Sequence, residues 1–273
     1  MTTIRLGLIG DNIAASRSPA LHLAAARQAG LSLRYELLIP AEQGLDFDAL
    51  FDRCRAQGYR GVNVTLPYKE RVMARLAVDS PDIARIGACN TVLFDPQGPR
   101  GFNTDYTGFR AAWAGRFGDA APGRGVMFGA GGVGRAVGFA LAALGAEALT
   151  IVDPVPGRAE ALAQDLARTG VTARAGTLQD LARADGVVNA TPLGMVGYGG
   201  SPVPEGAFPA CRWAFDAVYT PVDTAFCRQA SAAGARVLSG YALYFHQGID
   251  AFALFTGRAV PDPDLLRRAL AAQ

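Results

Sequence analysis

Hydrophobic and polar positions in the first part of the chain alternate between two patterns. Short apolar or β-branched runs, which predict strands, lie at Arg5–Ile9, Tyr35–Ile39 and Gly61–Leu66. Amphipathic stretches, which predict helices, lie between them at Pro19–Ala29 and Phe47–Gln57. The runs Cys89–Phe94 and Gly101–Asn103 flank the turn-rich segment DPQGPR and predict a hairpin. This alternation predicts an α/β domain with a mostly parallel sheet and an antiparallel edge.

Two helix beginnings in this domain carry polar residues. Ser18 is predicted to be the N-cap of the first helix, with Pro19 at the first helical position. Pro67 is predicted to open another helical stretch, which places Lys69 in its first turn. A cation opposes the helix dipole there, so a purely structural lysine gains nothing from that position.

A second alternating series follows Tyr106–Phe117, a predicted helix that leaves the first domain, and the linker at 118–125. Its predicted strands are Val126–Phe128, Leu149–Asp153, Gly186–Ala190, Trp213–Val218 and Ala235–Leu238. Helices are predicted up to Gly145, around Ala159–Arg168, and at about 241–256 and 263–271. We therefore expect two α/β domains, residues 1–105 and 106–240, with the C-terminal helices of 241–273 packing back on the first.

Composition narrows the classes of partner. The chain has 273 residues, 50% of them hydrophobic and 18% charged, with a formal net charge of +2. Neither nucleic acid nor a membrane is therefore predicted as a partner. The four cysteines lie far apart without a Cys-x-x-Cys pair, which predicts reduced thiols and no metal site. With no signal-peptide pattern and no apolar run of about 18 residues, we expect a soluble, cytoplasmic protein.

A glycine-rich loop follows the first strand of the second series. Its residues, which fit the pattern G-x-G-x-x-G, are Gly129, Ala130, Gly131, Gly132, Val133 and Gly134. An apolar strand directly before it and an Ala-rich helix directly after it are the setting in which this pattern binds a dinucleotide. The alternative is a helix that merely starts in a glycine-rich turn. The context favours a pyrophosphate resting at the helix N-terminus.

Asp153, at the end of the next predicted strand, bears on which dinucleotide is bound. A carboxylate there accepts the ribose hydroxyls of NAD and repels the 2′-phosphate of NADP. Pro154 follows it, so no arginine stands directly beside it to hold that phosphate, although Arg158 is near enough to keep NADP possible. Asp153 also suits a turn before the prolines, and both interpretations can hold together. The sequence therefore favours NAD.

Polar residues of the first domain form three short clusters. These are Ser16-Arg17-Ser18, Asn63-Val64-Thr65 followed by Lys69, and Asn103-Thr104-Asp105. A lysine beside an aspartate can exchange a proton with an alcohol as it becomes a ketone, and can stabilise the developing alkoxide. Each cluster also has a structural interpretation: an N-cap at Ser18, a solvated surface lysine, and an Asn/Asp helix cap. Taken together, the clusters predict a site for a polyhydroxylated ring.

At this point the residues match a known family, and the chain resembles shikimate dehydrogenases and quinate/shikimate dehydrogenases along nearly its whole length. The matching stretches in the first half are residues 16–19 (SRSP), 63–69 (NVTLPYK), 88–91 (ACNT) and 103–105 (NTD). In the second half they are residues 129–132 (GAGG), 189–195 (NATPLGM), 216–219 (DAVY) and 240–247 (GYALYFHQ). The resemblance implies an N-terminal substrate domain, a C-terminal Rossmann domain and an active site in the cleft between them.

The resemblance also implies roles for individual residues. Lys69 and Asp105 would be the catalytic pair, and Ser16 and Ser18 would bind the substrate carboxylate. Asn63, Thr65, Asn90, Tyr219 and Gln247 would surround the hydroxyls and ring of the substrate. The glycine loop, Asn189, Ala190, Thr191, Val218, Gly240 and Leu243 would line the cofactor.

Departures from the family pattern bear on specificity. NADP-dependent members usually carry Asn-Arg-Thr where this chain has Asp153-Pro154-Val155, so the resemblance agrees with NAD. Leu243 stands where many relatives have methionine, and Cys89 replaces a valine. The acid is typical of the quinate/shikimate branch, whereas quinate users often replace the second serine, which here is Ser18.

We therefore predict an NAD-preferring shikimate dehydrogenase, acting on a small-molecule substrate as a monomer or homodimer. The alternative within the family is a quinate or aminoshikimate dehydrogenase. A non-catalytic nucleotide-sensing protein is disfavoured, because ligand sensing has no need of Lys69 and Asp105.

Overall fold

The computed structural model describes residues 2–271, which divide into two compact units. Among the described residues, unit 1 comprises 2–104 and 245–271, and unit 2 comprises 105–244. The chain passes from one unit to the other inside two helices rather than in loops. None of the helices within residues 2–271 combines the length and hydropathy that spanning a bilayer requires.

The strands of unit 1 are β1 (Ile4–Ile9), β2 (Leu33–Leu38), β3 (Gly61–Val64), β4 (Thr91–Asp95) and β5 (Gly98–Phe102). Those of unit 2 are β6 (Arg124–Phe128), β7 (Ala148–Val152), β8 (Thr172–Ala175), β9 (Gly186–Asn189), β10 (Trp213–Asp216) and β11 (Arg236–Ser239). The helices of the first half are α1 (Ser18–Gln28), α2 (Phe47–Ala56), α3 (Pro81–Ile86) and α4 (Thr104–Phe117). The remaining helices are α5 (Gly132–Ala143), α6 (Arg158–Ala167), α7 (Ala225–Ala232), α8 (Gly240–Thr256) and α9 (Pro263–Ala271).

The sheet of unit 1 has the order β2-β1-β3-β4-β5. Strands β1, β2 and β3 run parallel, and β4 runs antiparallel to both of its neighbours. One face packs on the aromatic side chains Phe47 and Phe51 of α2. The other packs on Ala251 and Phe255 of α8. Burial of both faces explains why β3, with the sequence GVNV, is buried at every position.

The sheet of unit 2 is parallel throughout and has the order β11-β10-β9-β6-β7-β8. This is the strand order of a Rossmann fold, in which the chain reverses its direction of winding between the first and the fourth strand. Here that switch point lies between β6 and β9. A ligand of such a sheet binds beyond the carboxyl ends of these strands.

The predicted α/β class is confirmed, with a mostly parallel first sheet and a Rossmann-type second sheet. The hairpin is also confirmed, although its strands reach further into DPQGPR, so that Asp95 pairs with Gly98. Three elements escaped the sequence reasoning, namely α3, β8 and α7. The strand β8, with the sequence TARA, lies at the sheet edge and has no fully buried residue, so it lacks an apolar run to reveal it.

Two local predictions are wrong. The chain does not enter a helix at Pro67: β3 ends at Val64, turns follow, and the next helical element is a 3-10 helix at Arg71–Arg75. Lys69 therefore precedes this element and is not in the first turn of an α-helix. Ser18 is not the N-cap of α1 but its first residue, and the N-cap position falls on Arg17, without a side-chain cap.

Candidate active site

The two serines of the first cluster lie side by side at the beginning of α1. Ser16 Oγ donates to Ser18 Oγ over 3.2 Å and accepts the backbone N–H of Ser18 over 3.3 Å. Ser18 is the first residue of the helix rather than its N-cap, and the side chain at the N-cap position makes no capping hydrogen bond. Arg17, between them, donates to the carbonyl oxygen of Leu270 near the end of α9 over 2.5 Å. The arrangement offers two neighbouring hydroxyls, which suits the two oxygens of a carboxylate.

Lys69 lies in the turn before the 3-10 helix, and only 9% of the residue is exposed. The backbone N–H of Cys89 donates to its carbonyl oxygen over 2.9 Å, which ties this turn to the segment before β4. Lys69 is also the single lysine of the chain, since the other 25 of the 26 basic residues are arginines. This composition is the signal that sequence reasoning overlooked. The interpretation as a solvated surface lysine is wrong, because the side chain is buried.

Thr65 and Asn63 lie at the carboxyl end of β3. The backbone N–H of Thr65 donates to the carbonyl oxygen of Ile9 over 2.9 Å, so Thr65 continues the pairing with β1. Asn63 is buried and bonds to Tyr35, Asn90 and Thr91. Of these partners, the sequence had singled out only Asn90.

Asn90 and Gln247 come together through Thr104. Asn90 Nδ2 donates to Thr104 Oγ1 over 3.0 Å, and Thr104 Oγ1 lies 3.4 Å from Gln247 Oε1. The backbone N–H of Thr104 donates to Asn90 Oδ1 over 2.7 Å, which fixes where α4 begins. Asp105 is the next residue of α4 and is 5% exposed. A carboxylate in a first helical turn is favoured by the helix dipole.

In unit 2, the glycine loop has the space that a dinucleotide requires. Gly129 has φ +98°, and a Cβ there would lie 2.7 Å from the carbonyl oxygen of Ala190. A Cβ on Gly134 would lie 2.0 Å from the carbonyl oxygen of Gly129, so helix and strand could not pack as they do. A Cβ on Gly131 would meet nothing within 4 Å, so this backbone is open to a ligand. The residues therefore fit a pyrophosphate at the N-terminus of α5.

Asp153 directly follows β7 and lies beside the glycine loop. Its Oδ2 accepts the backbone N–H of Ala130 over 2.7 Å, and its Oδ1 accepts that of Val155 over 2.9 Å. The structural interpretation of Asp153 as the start of a turn is therefore confirmed. Arg158 is exposed at the first position of α6.

Asn189 ends β9, Val218 follows the neighbouring strand β10, and both share one partner, Asp216. Asp216 Oδ1 accepts Asn189 Nδ2 over 2.9 Å and the backbone N–H of Val218 over 3.0 Å. Asn189 Oδ1 in turn accepts the hydroxyl of Thr191 over 2.6 Å. Burial raises the pKa of Asp216, and the hydroxyl of Thr224 counts among the groups that oppose this rise. Sequence reasoning quoted Asp216 only as part of a motif. An acid at the end of an apolar strand was the signal for its buried role.

The remaining candidates of unit 2 lie between β10 and the first turns of α8. The rings of Tyr219 and Tyr244 stack, with centroids 4.9 Å apart. A Cβ on Gly240 would lie 2.6 Å from the carbonyl oxygens of Ala217 and Val218, so only glycine fits there. Leu243 is buried, with 5% exposed.

The candidate residues thus form two sets. Those of unit 1 are mostly hydroxyls and amides with one buried lysine. Most of those of unit 2 lie at or beyond the carboxyl ends of β6, β7, β9, β10 and β11, whereas Asp105 lies in the first turn of α4. A Rossmann sheet with an open glycine loop and a second unit rich in buried polar groups define a nicotinamide-dependent oxidoreductase with a separate substrate domain.

Comparison with known proteins specifies this class further. The shikimate dehydrogenase substrate binding domain matches residues 8–92. A quinate/shikimate dehydrogenase (NAD(+)) of Corynebacterium efficiens is 39% identical over 276 residues, covering 97% of this chain and 96% of that protein. A shikimate dehydrogenase (NADP(+)) of Streptomyces avermitilis is 40% identical over 271 residues, covering 96% of this chain and 92% of that protein.

Solved structures agree with these relatives. Quinate dehydrogenase from Corynebacterium glutamicum in complex with NAD superposes with a TM-score of 0.88 at 35% identity, covering 99% of both chains. Shikimate 5-dehydrogenase from Thermus thermophilus in complex with NADP(H) and shikimate gives a TM-score of 0.85 at 39% identity, covering 98% of this chain and 99% of that one. The chain belongs to the shikimate dehydrogenase family. It is an NAD(P)-dependent oxidoreductase.

Proposed function

We propose that this chain reversibly oxidises the ring hydroxyl of shikimate to the ketone of 3-dehydroshikimate, with NAD preferred over NADP. The observation that carries the proposal is the buried position of Lys69 together with its composition: a chain that uses arginine at its other 25 basic positions has lysine here. An ammonium group can release its proton within an enzyme, whereas a guanidinium cannot. We therefore infer that the side chain at position 69 must be able to exchange a proton, which lysine can do and arginine cannot.

The substrate site draws on the residues of unit 1. Ser16 and Ser18 bind the carboxylate, while Asn90 and Gln247 bind ring hydroxyls. Lys69 Nζ takes the proton of the reacting hydroxyl during oxidation and returns it during reduction. Asp105 supports Lys69 in this exchange. Asn63 and Thr65 complete the residues of unit 1 in this proposed site, and Tyr219 is proposed as a further substrate-binding residue.

The nucleotide is held by unit 2 and supplies the hydride acceptor for this oxidation. The glycine loop receives the pyrophosphate, and Asn189, Ala190, Thr191, Val218, Gly240 and Leu243 line the remainder of the cofactor site. Asp153 supports the preference for NAD, because its carboxylate lies beside the loop where the adenosine ribose of such cofactors is recognised. Pro154 offers no charge to a 2′-phosphate, and Arg158 is the nearest candidate for that role.

Quinate is the second candidate substrate, and the relatives from Corynebacterium favour it. One is named a quinate/shikimate dehydrogenase (NAD(+)), and the structure from Corynebacterium glutamicum is of a quinate dehydrogenase in complex with NAD. Quinate has a tertiary hydroxyl beside its carboxylate, so the space around Ser16 and Ser18 decides between the two acids.

Steady-state kinetics test this proposal, with shikimate and quinate each measured against NAD and NADP by the absorbance of the reduced nucleotide. We expect the highest kcat/KM for shikimate with NAD, and a value at least about tenfold lower with NADP, because placing a phosphate beside a carboxylate costs more than about 1.4 kcal/mol. A higher kcat/KM for quinate than for shikimate would identify quinate as the preferred substrate. Equal use of NAD and NADP would contradict the role of Asp153, and no turnover of either acid would contradict the proposed reaction.

A further inference from the structure

A buried chain of hydrogen bonds in unit 1 begins at Tyr35 on β2. The Tyr35 hydroxyl donates to Asn63 Oδ1 over 2.8 Å. Asn63 Nδ2 donates to the carbonyl oxygen of Asn90 over 3.2 Å and to Thr91 Oγ1 over 3.0 Å. An amide nitrogen has two hydrogens, so both are in use. Asn63 can therefore serve a ligand only as an acceptor.

Thr91 extends the chain of hydrogen bonds to the two amides proposed to bind the substrate. Its hydroxyl donates to Asn90 Oδ1 over 3.1 Å, and the backbone N–H of Thr104 donates to the same oxygen over 2.7 Å. Asn90 Nδ2 donates one hydrogen to Thr104 Oγ1. The hydroxyl of Thr104 then has Gln247 Oε1 within reach at 3.4 Å. The hydroxyl of Thr104 also has Asn90 Oδ1 within reach at 3.2 Å, and the contacts of Asn90 determine which end of its amide is oxygen and which is nitrogen.

The linking residues are too deeply buried to bind a ligand themselves. Thr91 is 0% exposed and Thr104 is 2% exposed. Tyr35 is 8% exposed, and its ring stacks on His22 with centroids 4.7 Å apart. A change in substrate affinity caused by any of them must therefore act through Asn63, Asn90 or Gln247.

We propose that Tyr35, Thr91 and Thr104 are positioning residues of the substrate site. They orient the amide of Asn90 so that an N–H group, rather than the carbonyl oxygen, is offered to a ring hydroxyl of a cyclic polyol acid, and Thr104 places its hydroxyl within reach of Gln247. Asn63 connects Tyr35 to this arrangement and donates no hydrogen bond to the substrate. The inference rests on the proposed function, in which Asn90 and Gln247 contact the substrate.

Substitution of Thr91 separates the hydroxyl from the packing of the side chain. Thr91→Val keeps the shape but removes the donor to Asn90 and the acceptor for Asn63. We expect the KM for shikimate to rise about fivefold or more, as loss of one net hydrogen bond implies, while the KM for NAD stays unchanged. Thr91→Ser keeps the hydroxyl and is expected to restore the KM for shikimate to within about twofold of the wild-type value.

Substitution of Tyr35 tests the other end of the chain of hydrogen bonds. Tyr35→Phe removes only the hydroxyl and is also expected to raise the KM for shikimate. Tyr59→Phe is the matched control, because the Tyr59 hydroxyl donates to Glu36 Oε2 over 2.8 Å and has no contact with the amides. If Tyr35 had a purely structural role, Tyr35→Phe and Tyr59→Phe would both lower the melting temperature, and neither would change the KM for shikimate.

Calorimetric titration of the cofactor-free protein with shikimate gives a readout that needs no turnover. Weaker binding by Thr91→Val and Tyr35→Phe, with rescue by Thr91→Ser, would support the inference. If the wild-type protein oxidises shikimate, and Thr91→Val and Tyr35→Phe bind shikimate with unchanged affinity and KM, the inference is overturned and the proposed function stays intact. A wild-type protein that neither binds nor oxidises shikimate or quinate would overturn both.

Discussion

Lys69 and its neighbour Arg71 show how differently two basic residues of one short segment are used. Arg71 is half-exposed and pairs with Asp48, and its guanidinium lies 5.6 Å from the centre of the Phe47 ring. Such contacts need a fixed charge and a flat surface, which arginine supplies. Lys69 is buried in the turn between β3 and the 3-10 helix, where a group that can lose its proton is of chemical use.

Lys69→Arg is therefore expected to lower kcat for shikimate oxidation by about two to four orders of magnitude, which is the usual contribution of a positioned acid or base. The charge remains, so the affinity for shikimate should fall much less. Steady-state kinetics combined with calorimetric titration separate the two effects.

Arg71→Lys, the reverse exchange two positions away, is the control and should change kcat by less than about twofold because surface ion pairs contribute little. A Lys69→Arg enzyme with near wild-type kcat would show that position 69 supplies charge alone.

At the scale of elements, the glycines at the junction of β6 and α5 have different physical requirements. Gly134 has no room for a Cβ, since the carbonyl oxygen of Gly129 would be 2.0 Å away. Gly131 has room in the protein itself, and its φ of −77° suits any residue. Gly131 is the N-cap of α5, where glycine is favoured over alanine, and its lack of a side chain also leaves room for the approach of a ligand.

Gly134→Ala is accordingly expected to lower both the melting temperature and the affinity for NAD, because α5 must move away from β6. Gly131→Ala is expected to keep the melting temperature within about 2 °C and to weaken NAD binding about tenfold or more, since the added methyl group occupies the space of the pyrophosphate. Thermal unfolding and calorimetric titration with NAD measure the two quantities.

Gly115→Ala serves as the control for this pair. It lies inside α4 with nothing within 4 Å of the new Cβ, so helix propensity predicts a slightly higher melting temperature and unchanged NAD binding. Unchanged NAD affinity in Gly131→Ala would contradict the assignment of this loop as the pyrophosphate site.

The glycine loop, the hydrogen bond between Tyr35 and Asn63, and the turn at Lys69 differ in how far the sequence could predict them. The glycine loop could be predicted because its turn, strand and helix are adjacent in the chain. The bond between Tyr35 and Asn63 could not, because it depends on register: Tyr35 pairs with Leu6 and Asn63 with Leu8 on opposite sides of β1. The turn at Lys69 was mistaken for a helix because its hydrogen bond to Cys89 joins residues distant in sequence.

For the whole molecule, a buried histidine links stability to pH. His22 on α1 is 2% exposed, stacks on Tyr35 and has Phe252 and Phe255 around it. Burial lowers the pKa of His22 from 6.5 to about 3. Unfolding exposes the imidazole and returns its pKa to the ordinary value, so the unfolded chain binds one more proton below about pH 6.5.

The free energy of unfolding should therefore be unaffected by His22 above about pH 6.5 and should fall as the pH drops towards 3. Between pH 7.5 and pH 5 this single group accounts for about 2 kcal/mol, at about 1.4 kcal/mol for each unit below 6.5. Urea unfolding at several pH values measures the dependence. His22→Leu, which cannot take up the proton, should lose this part of the slope, and identical slopes in both proteins would contradict the assignment.

The fold class and the nucleotide loop of this molecule could be predicted from its sequence, because both depend on patterns of residues that are close together in the chain. The residues themselves suggested the proton exchange of Lys69 and Asp105, and resemblance supplied the roles of the other substrate-binding residues. The hydrogen bonds among Asn63, Thr91 and Asn90 emerged only with the packed sheet. Asp216 shows the same limit, since its partners Asn189 and Val218 reach it from neighbouring strands and loops.

The presence of one lysine in 273 residues has a practical consequence for spectroscopy. Reductive methylation with ¹³C-formaldehyde converts primary amines to dimethylamines, and in this chain it can label only Lys69 and the terminal amine. Two methyl signals would then stand for the whole protein, and one of them would report directly on the buried turn between β3 and the 3-10 helix. Recording that signal as a function of pH, with and without nucleotide or shikimate, would report the charge on a single interior amine. No other side chain would contribute to the spectrum.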